Sequence, residues 1–113
     1  MNLNNHHVDN WKDFGDEEIS IEAVKKIWPV PDFLVSKIER SPTDWTSVLE
    51  IQGPRHIVLM IKGIVKVHIQ GISLTLRPGN YFTINKGEQH RYFPKSHGNI
   101  TMARVVALSD LAN

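Results

Sequence analysis

The chain has 113 residues, enough for one domain with a single hydrophobic core and too few for two. Hydrophobic residues make up 41% and charged residues 22%, a composition that excludes a disordered chain. With 13 Lys and Arg against 12 Asp and Glu, the net charge of +1 gives no reason to expect a partner in nucleic acid or at a membrane surface. The chain contains no cysteine, which excludes disulfides and thiolate ligands.

No apolar run is long enough to predict a transmembrane helix. The first residues, Met1 to His7, are polar and lack the basic-then-apolar pattern of a signal peptide. We therefore expect a cytoplasmic protein.

The N-terminal third predicts an arm followed by a short helix. Residues 1–15 are polar with isolated aromatic side chains, and we interpret them as an arm that docks on the domain or on a partner. From Asp16 to Trp28 apolar residues fall on one helical stripe, with acidic residues first and lysines last, an order that suits the helix dipole. The segment Ile19-Ser20-Ile21 can alternatively open a strand. Residues 16–113 are expected to form the single domain.

Beyond Pro31 the sequence predicts short strands separated by Gly and Pro turns. The predicted strands are Phe33–Glu39, Trp45–Gln52, His56–Ile61, Val65–Ile69, Ile72–Leu76, Tyr81–Ile84, His90–Phe93 and Ile100–Leu108. Many short strands at regular spacing are typical of a sandwich or barrel. The fold class is therefore predicted as all-β with one short N-terminal helix.

The turn pattern after His56 resembles that of the cupin superfamily, the small jelly-roll barrels also described as double-stranded β-helices. In the second cupin motif, Gly79, Gly87 and His90 match at the expected spacing. Asn85 replaces the motif's proline, and Pro94 stands where its asparagine would be. The segment 58–63, ending at a glycine, resembles the end of the first motif. The resemblance extends from Glu50 to His97 and predicts a jelly-roll barrel, a fold that hosts many functions.

The resemblance also implies a site inside the barrel. Cupins that bind a metal use two His, one Glu and a later His, and such ligands suit Fe, Mn, Ni, Cu or Zn. Here the paired histidines are absent, and His56 stands at the position of the Glu.

Two strand registers remain open. In one, Glu50 and Gln52 take the histidine positions, and Glu50, Gln52, His56 and His90 surround one point as a metal set. In the other, Leu49 and Ile51 point inward, so that only His56 and His90 remain, because a slip of one residue exchanges the two faces of a strand.

Two functions follow from these alternatives. In the first, the protein binds a small polar molecule in its barrel around a divalent transition metal, as a dioxygenase, isomerase or lyase would. In the second, it is a metal-free ligand-binding or sensor module. Tyr81 and Tyr92 are candidate ligand-binding residues in either case, with a place in the aromatic core as the alternative. Surplus apolar strand faces predict a homodimer.

Overall fold

The protein folds into two antiparallel β-sheets packed face to face, as a computed structural model shows for residues 7–45, 50–51 and 53–111. The strands are β1 (Asp9–Asn10), β2 (Phe33–Arg40), β3 (Glu50–Ile51), β4 (His56–Lys62), β5 (Val65–Ile69), β6 (Ile72–Leu76), β7 (Asn80–Ile84), β8 (Gln89–Pro94) and β9 (Ile100–Ala107). The helices are α1 (Ile21–Ile27), α2 (Leu108–Leu111) and two single turns of 3-10 helix (Trp11–Phe14 and Pro42–Trp45). The all-β prediction is confirmed.

The first sheet has the order β1-β7-β4-β9-β2 and the second the order β3-β8-β5-β6. Side chains alternate between the two faces of a strand, so each strand contributes to two separate environments. The inner faces of both sheets form the main core, which contains Val58, Val67, Phe82 and Met102 among others. The outer face of the first sheet carries a second core around Leu59.

Helix α1 and the N-terminal segment cover this outer face. Ala23 and Val24 of α1 are buried, and Trp11 is buried beside them in the second core. Strand β1 adds to the edge of the first sheet by pairing with β7. The described part of the predicted arm therefore packs on the barrel.

The predicted helix is present but shorter than expected. It begins at Ile21, because the Oγ of Ser20 accepts a hydrogen bond from the backbone N–H of Ala23 at 3.1 Å and caps the helix. Residues 16–20 are therefore not helical, and the alternative of a strand at Ile19-Ser20-Ile21 is wrong.

Most predicted strands agree with the structure to within one or two residues, and one lies mostly outside the described residues. In the segment Trp45–Gln52, Trp45 ends a turn of 3-10 helix, and Glu50 and Ile51 are the strand residues that the structure describes there. Strand β1 and helix α2 were not predicted, since two-residue pairings and single helical turns lack a periodic signal.

Candidate functional site

His56 and His90 meet at one end of the space between the two sheets. His56 opens β4 of the first sheet and pairs in register with Ile84, while His90 in β8 of the second sheet pairs with Ile69 of β5. Both paired isoleucines belong to the main core, so both imidazoles lie on inner faces. The histidines are 3% and 1% exposed, and their ring centroids are 6.3 Å apart. The structure thus brings together the two histidines that the sequence singled out.

Each of the two rings is held by a hydrogen bond to the backbone carbonyl two residues before it. The Nδ1 of His56 lies 3.1 Å from the carbonyl oxygen of Pro54, and the Nδ1 of His90 lies 3.1 Å from that of Glu88. A carbonyl oxygen can only accept, so in each ring Nδ1 carries a proton and donates it. In the neutral rings, Nε2 is then left with a lone pair, and neither Nε2 has a hydrogen-bond partner among the described residues.

Burial lowers the pKa of His56 below its usual value of 6.5, because the charged ring loses its hydration. The hydrogen bond to Pro54 acts in the opposite direction, whereas the neighbouring Arg104 and His90 lower the pKa of His56 further. His56 is therefore neutral at pH 7 and can accept a hydrogen bond or donate its lone pair.

Arg104 is a member of this site that the sequence analysis missed. In β9 it pairs with Val58 of β4 on one side and with Ser36 of β2 on the other. It shares its face of the strand with Ile100 and Met102, both in the main core, so it points between the sheets. Its Nε atom is buried and has no hydrogen-bond partner among the residues that the structure describes. The available signal was a lone charge in the apolar run 100–108.

The barrel is open to solvent beside Arg104. Leu34 and Ser36 of β2 lie on the same face of the sheet as Arg104, since they pair with Val106 and Arg104. Both are nevertheless exposed, Leu34 to 45%. A small molecule could therefore reach Arg104 from this side.

The two tyrosines predicted as ligand-binding residues lie on opposite faces of the structure. Tyr92 is buried on the inner face of β8 and packs edge-on against His90, with ring centroids 5.2 Å apart. Tyr81 pairs with Leu59, a member of the second core, and its ring contacts Phe14 at 5.6 Å. The structure thus places Tyr92 beside the histidines and does not bring Tyr81 together with them.

Glu50 and Gln52 completed the predicted metal set. The backbone register of β3 against β8 puts Glu50 directly opposite His90. Gln52 and Leu49 lie outside the described residues, and the side chains of Glu50 and Ile51 are not described either. Within the described part of the chain, no group of three or more His, Asp or Glu side chains could hold a metal ion.

The two histidines alone are a poor fit to a metal. Two imidazoles that bind one ion through Nε2 at about 2.1 Å, at tetrahedral or neighbouring octahedral positions, have ring centres roughly 4.6–5.3 Å apart. The observed separation of 6.3 Å is wider. The guanidinium of Arg104 also disfavours a second cation near His56, as its effect on the His56 pKa shows.

Glu88 secures the turn that carries His90. Its side chain is buried, and one carboxylate oxygen accepts a hydrogen bond from the backbone N–H of Asn85 at 2.9 Å. The other oxygen accepts from the amide of Gln70 at 2.7 Å. Because the backbone carbonyl of Glu88 also holds the ring of His90, this residue is a structural support of the site and not one of its ligands.

Solved structures of similar shape share this two-sheet barrel. A cupin-2 domain-containing protein from Shewanella frigidimarina has a TM-score of 0.56 and 13% identity, over 69% of this chain and 72% of its own. The chain described by the two sheets above has the cupin fold. A protein from Neisseria meningitidis matches the cupin barrel with a TM-score of 0.56 and 15% identity, over 68% of this chain and 75% of its own.

A third structure with this cupin barrel is the Fe(II) enzyme HppE in complex with an alternative substrate. Its TM-score is 0.54 and its identity 11%, over 67% of this chain and 43% of its own. At such identities the comparisons establish the cupin fold alone. No protein-family model matches this cupin-fold chain, and no curated protein matches its sequence. Within the described ranges, no helix is long and apolar enough to cross a membrane.

Proposed function

We propose that the protein binds a small polar molecule at the open end of its barrel, between His56, His90 and Arg104, without needing a metal. The observation that carries the proposal is the buried Nε of Arg104, which lacks a partner among the described residues. Buried polar groups are nearly always hydrogen-bonded, and an exception marks a place for a water molecule, an ion or a ligand.

The surroundings of Arg104 support the same function. The two imidazoles offer Nε2 atoms without described partners, and their orientation is fixed by backbone carbonyls. Fixed polar groups above an apolar floor are the usual composition of a small-molecule site. Of the alternatives raised by the sequence, this arrangement favours the metal-free binding module.

Thermal unfolding of chelator-treated protein against a panel of small polar compounds tests the proposal. A compound present at ten times its Kd stabilises the fold by about 1.4 kcal/mol, which raises Tm by several degrees. The shift should vanish in His90→Ala and persist in His68→Ala, because His68 is exposed on the outer face of β5. Shifts that survive His90→Ala, or that require added metal, would contradict the proposal.

A divalent metal bound by His56, His90 and Glu50 is the second candidate. It is favoured by the hydrogen bonds from both Nδ1 atoms to carbonyl oxygens, since metal-binding histidines almost always donate their other N–H in this way. Such a metal would supply Lewis acidity to a bound substrate.

The register of Glu50 opposite His90 also agrees with this second candidate. Elemental analysis of untagged protein, purified without chelator, tests it. About one transition metal per chain, lost in Glu50→Gln and in His90→Ala, would establish the metal set. No metal after incubation with Fe(II), Mn(II), Ni(II) and Zn(II) would remove this candidate.

A further inference from the structure

The chemistry of the three polar groups defines what the site can recognise. The guanidinium of Arg104 is a permanent cation with donors and no acceptor, and its planar fork matches the two oxygens of a carboxylate. Its Nε–H is buried and has no acceptor among the described residues. The missing partner of the Arg104 Nε–H is therefore a hydrogen-bond acceptor. An anionic acceptor is favoured, because a hydrogen bond between charged groups is stronger than one between neutral groups.

The histidines require the opposite kind of group. Their Nδ1–H groups already donate to the carbonyl oxygens of Pro54 and Glu88. What each ring still offers in its neutral form is an acceptor, its Nε2 lone pair. A complementary ligand must therefore carry a donor at some distance from its anionic group.

A hydroxyl group meets this requirement better than an ammonium group does. The site already holds the positive charge of Arg104 close enough to His56 to lower the pKa of that ring. A second cation in these buried surroundings would be repelled and would also lose its hydration.

Apolar side chains lie beside the three polar groups. Val58, Ile69 and Ile84 pair in register with Arg104, His90 and His56 and are each at most 2% exposed. These valine and isoleucine side chains belong to the packed main core, so the three polar groups have apolar neighbours. A short aliphatic body of a ligand can pack against them.

We infer that the site takes a small hydroxycarboxylate, whose carboxylate accepts from the guanidinium of Arg104 and whose hydroxyl donates to Nε2 of His56 or His90. This inference rests on the proposed binding function and adds the chemical class of the ligand. It requires both groups on one short carbon skeleton, because the three side chains lie at the same end of the barrel.

Matched probes separate the two recognition elements. Isothermal titration of chelator-treated protein with 3-hydroxybutyrate is compared with butyrate, which lacks the hydroxyl, and with 3-hydroxybutyramide, which lacks the charge. Loss of the charge should weaken binding roughly 10- to 100-fold, and loss of the hydroxyl roughly 3- to 10-fold. Lactate tests a shorter spacing between the two groups, and inorganic phosphate tests an anion without a carbon skeleton.

Variants assign the effects to residues. Arg104→Gln should reduce affinity for 3-hydroxybutyrate at least tenfold and that for 3-hydroxybutyramide by less, because the amide oxygen accepts a weaker, uncharged hydrogen bond, whereas Arg104→Lys should keep part of the affinity. Arg91→Gln is the matched control, because Arg91 is exposed on the outer face of β8. Glu50→Gln should not weaken the binding of 3-hydroxybutyrate. This result would distinguish direct binding of the ligand by Arg104 from binding through a metal held by Glu50.

Several results would overturn the inference. Equal binding of the acid and its amide would remove the role of the charge, and equal binding of 3-hydroxybutyrate and butyrate would remove that of the hydroxyl. Tighter binding of phosphate than of either hydroxyacid would replace the hydroxycarboxylate with an inorganic anion. If neutral polyols shift Tm in a His90-dependent way while no carboxylate binds, the ligand class is wrong and the proposed binding function stands. If no compound in the panel of small polar compounds binds, both the proposed binding function and the hydroxycarboxylate inference fail.

Discussion

Replacing Arg104 with methionine should make the ligand-free protein more stable. Most point mutations leave the free energy of unfolding unchanged or lower it, so an increase for Arg104→Met would be informative. The Nε of Arg104 is buried without a described partner. Methionine has a similar unbranched length and can pack against Val58 without a polar atom that needs a hydrogen bond.

The size of the effect follows from the burial of Arg104. An unsatisfied buried polar group costs about 1–3 kcal/mol. Because Arg104 is only half-buried, the rest of its guanidinium keeps some hydration, and the lower part of that range applies. We therefore expect Arg104→Met to raise the free energy of unfolding by about 1–2 kcal/mol. Such a gain would fit the general observation that binding sites are stabilised when their polar groups are removed.

Urea denaturation followed by tryptophan fluorescence measures this change. The buffer must be free of carboxylates, phosphate and sulfate, which would stabilise the parent protein by binding. Arg91→Met, on the exposed outer face of β8, should change stability by less than about 0.5 kcal/mol. A loss of 1 kcal/mol or more in Arg104→Met would show that Arg104 has its partners within the protein, and the reasoning about the site would be refuted.

Three other properties of the fold can be tested. Gly63→Ala should cost about 2–4 kcal/mol in a denaturant titration, because its φ is +92° and a Cβ would lie 2.9 Å from Ile100. Gly71→Ala, with φ +75° and free space, should cost only about 1–2 kcal/mol, and equal losses would contradict the steric reasoning. The lowered pKa of His56 means that the unfolded state binds more protons, so stability should fall as the pH drops below about 6.5. His56→Gln should lose less stability between pH 7 and pH 5 than the parent, and an identical pH profile would contradict this. Light scattering should give the mass of two chains if the surplus apolar faces pair, and a monomer mass would end the prediction of a homodimer.

The fold could be predicted because each short strand carries its own local signal. Alternating apolar residues, as in Val65–Ile69, fix a strand and its faces, and a turn such as Gln70-Gly71 fixes the hairpin. Both turn residues have positive φ, 52° and 75°, as a tight hairpin of this kind requires. The segment Trp45–Gln52 lacks a clear alternation. Its predicted strand agrees with the structure at residues 50–51 and is wrong at Trp45, and residues 46–49 and 52 lie outside the described part of the chain.

The site was less accessible to sequence reasoning. His90 could be found from glycine spacing alone, and His56 from its distance to Gly63. Arg104 had only the weak signal of a lone charge in an apolar run, and its place beside Val58 depends on the long-range register of β9 against β4. Tyr81 was expected to have the same ligand-binding role as Tyr92, yet the sheet places it on the outer face, since a strand's two faces differ only through its partners.

The most direct test of the site is nitrogen NMR of its histidine rings in metal-free protein. Long-range ¹H–¹⁵N spectra report which ring nitrogen carries the proton and whether Nε2 engages a ligand. We expect His56 and His90 to carry their proton on Nδ1, and both Nε2 signals to move when a binding compound is added while those of His68 stay fixed. Rings protonated on Nε2 alone, or Nε2 signals that do not respond to a bound compound, would contradict a small-molecule site between His56, His90 and Arg104.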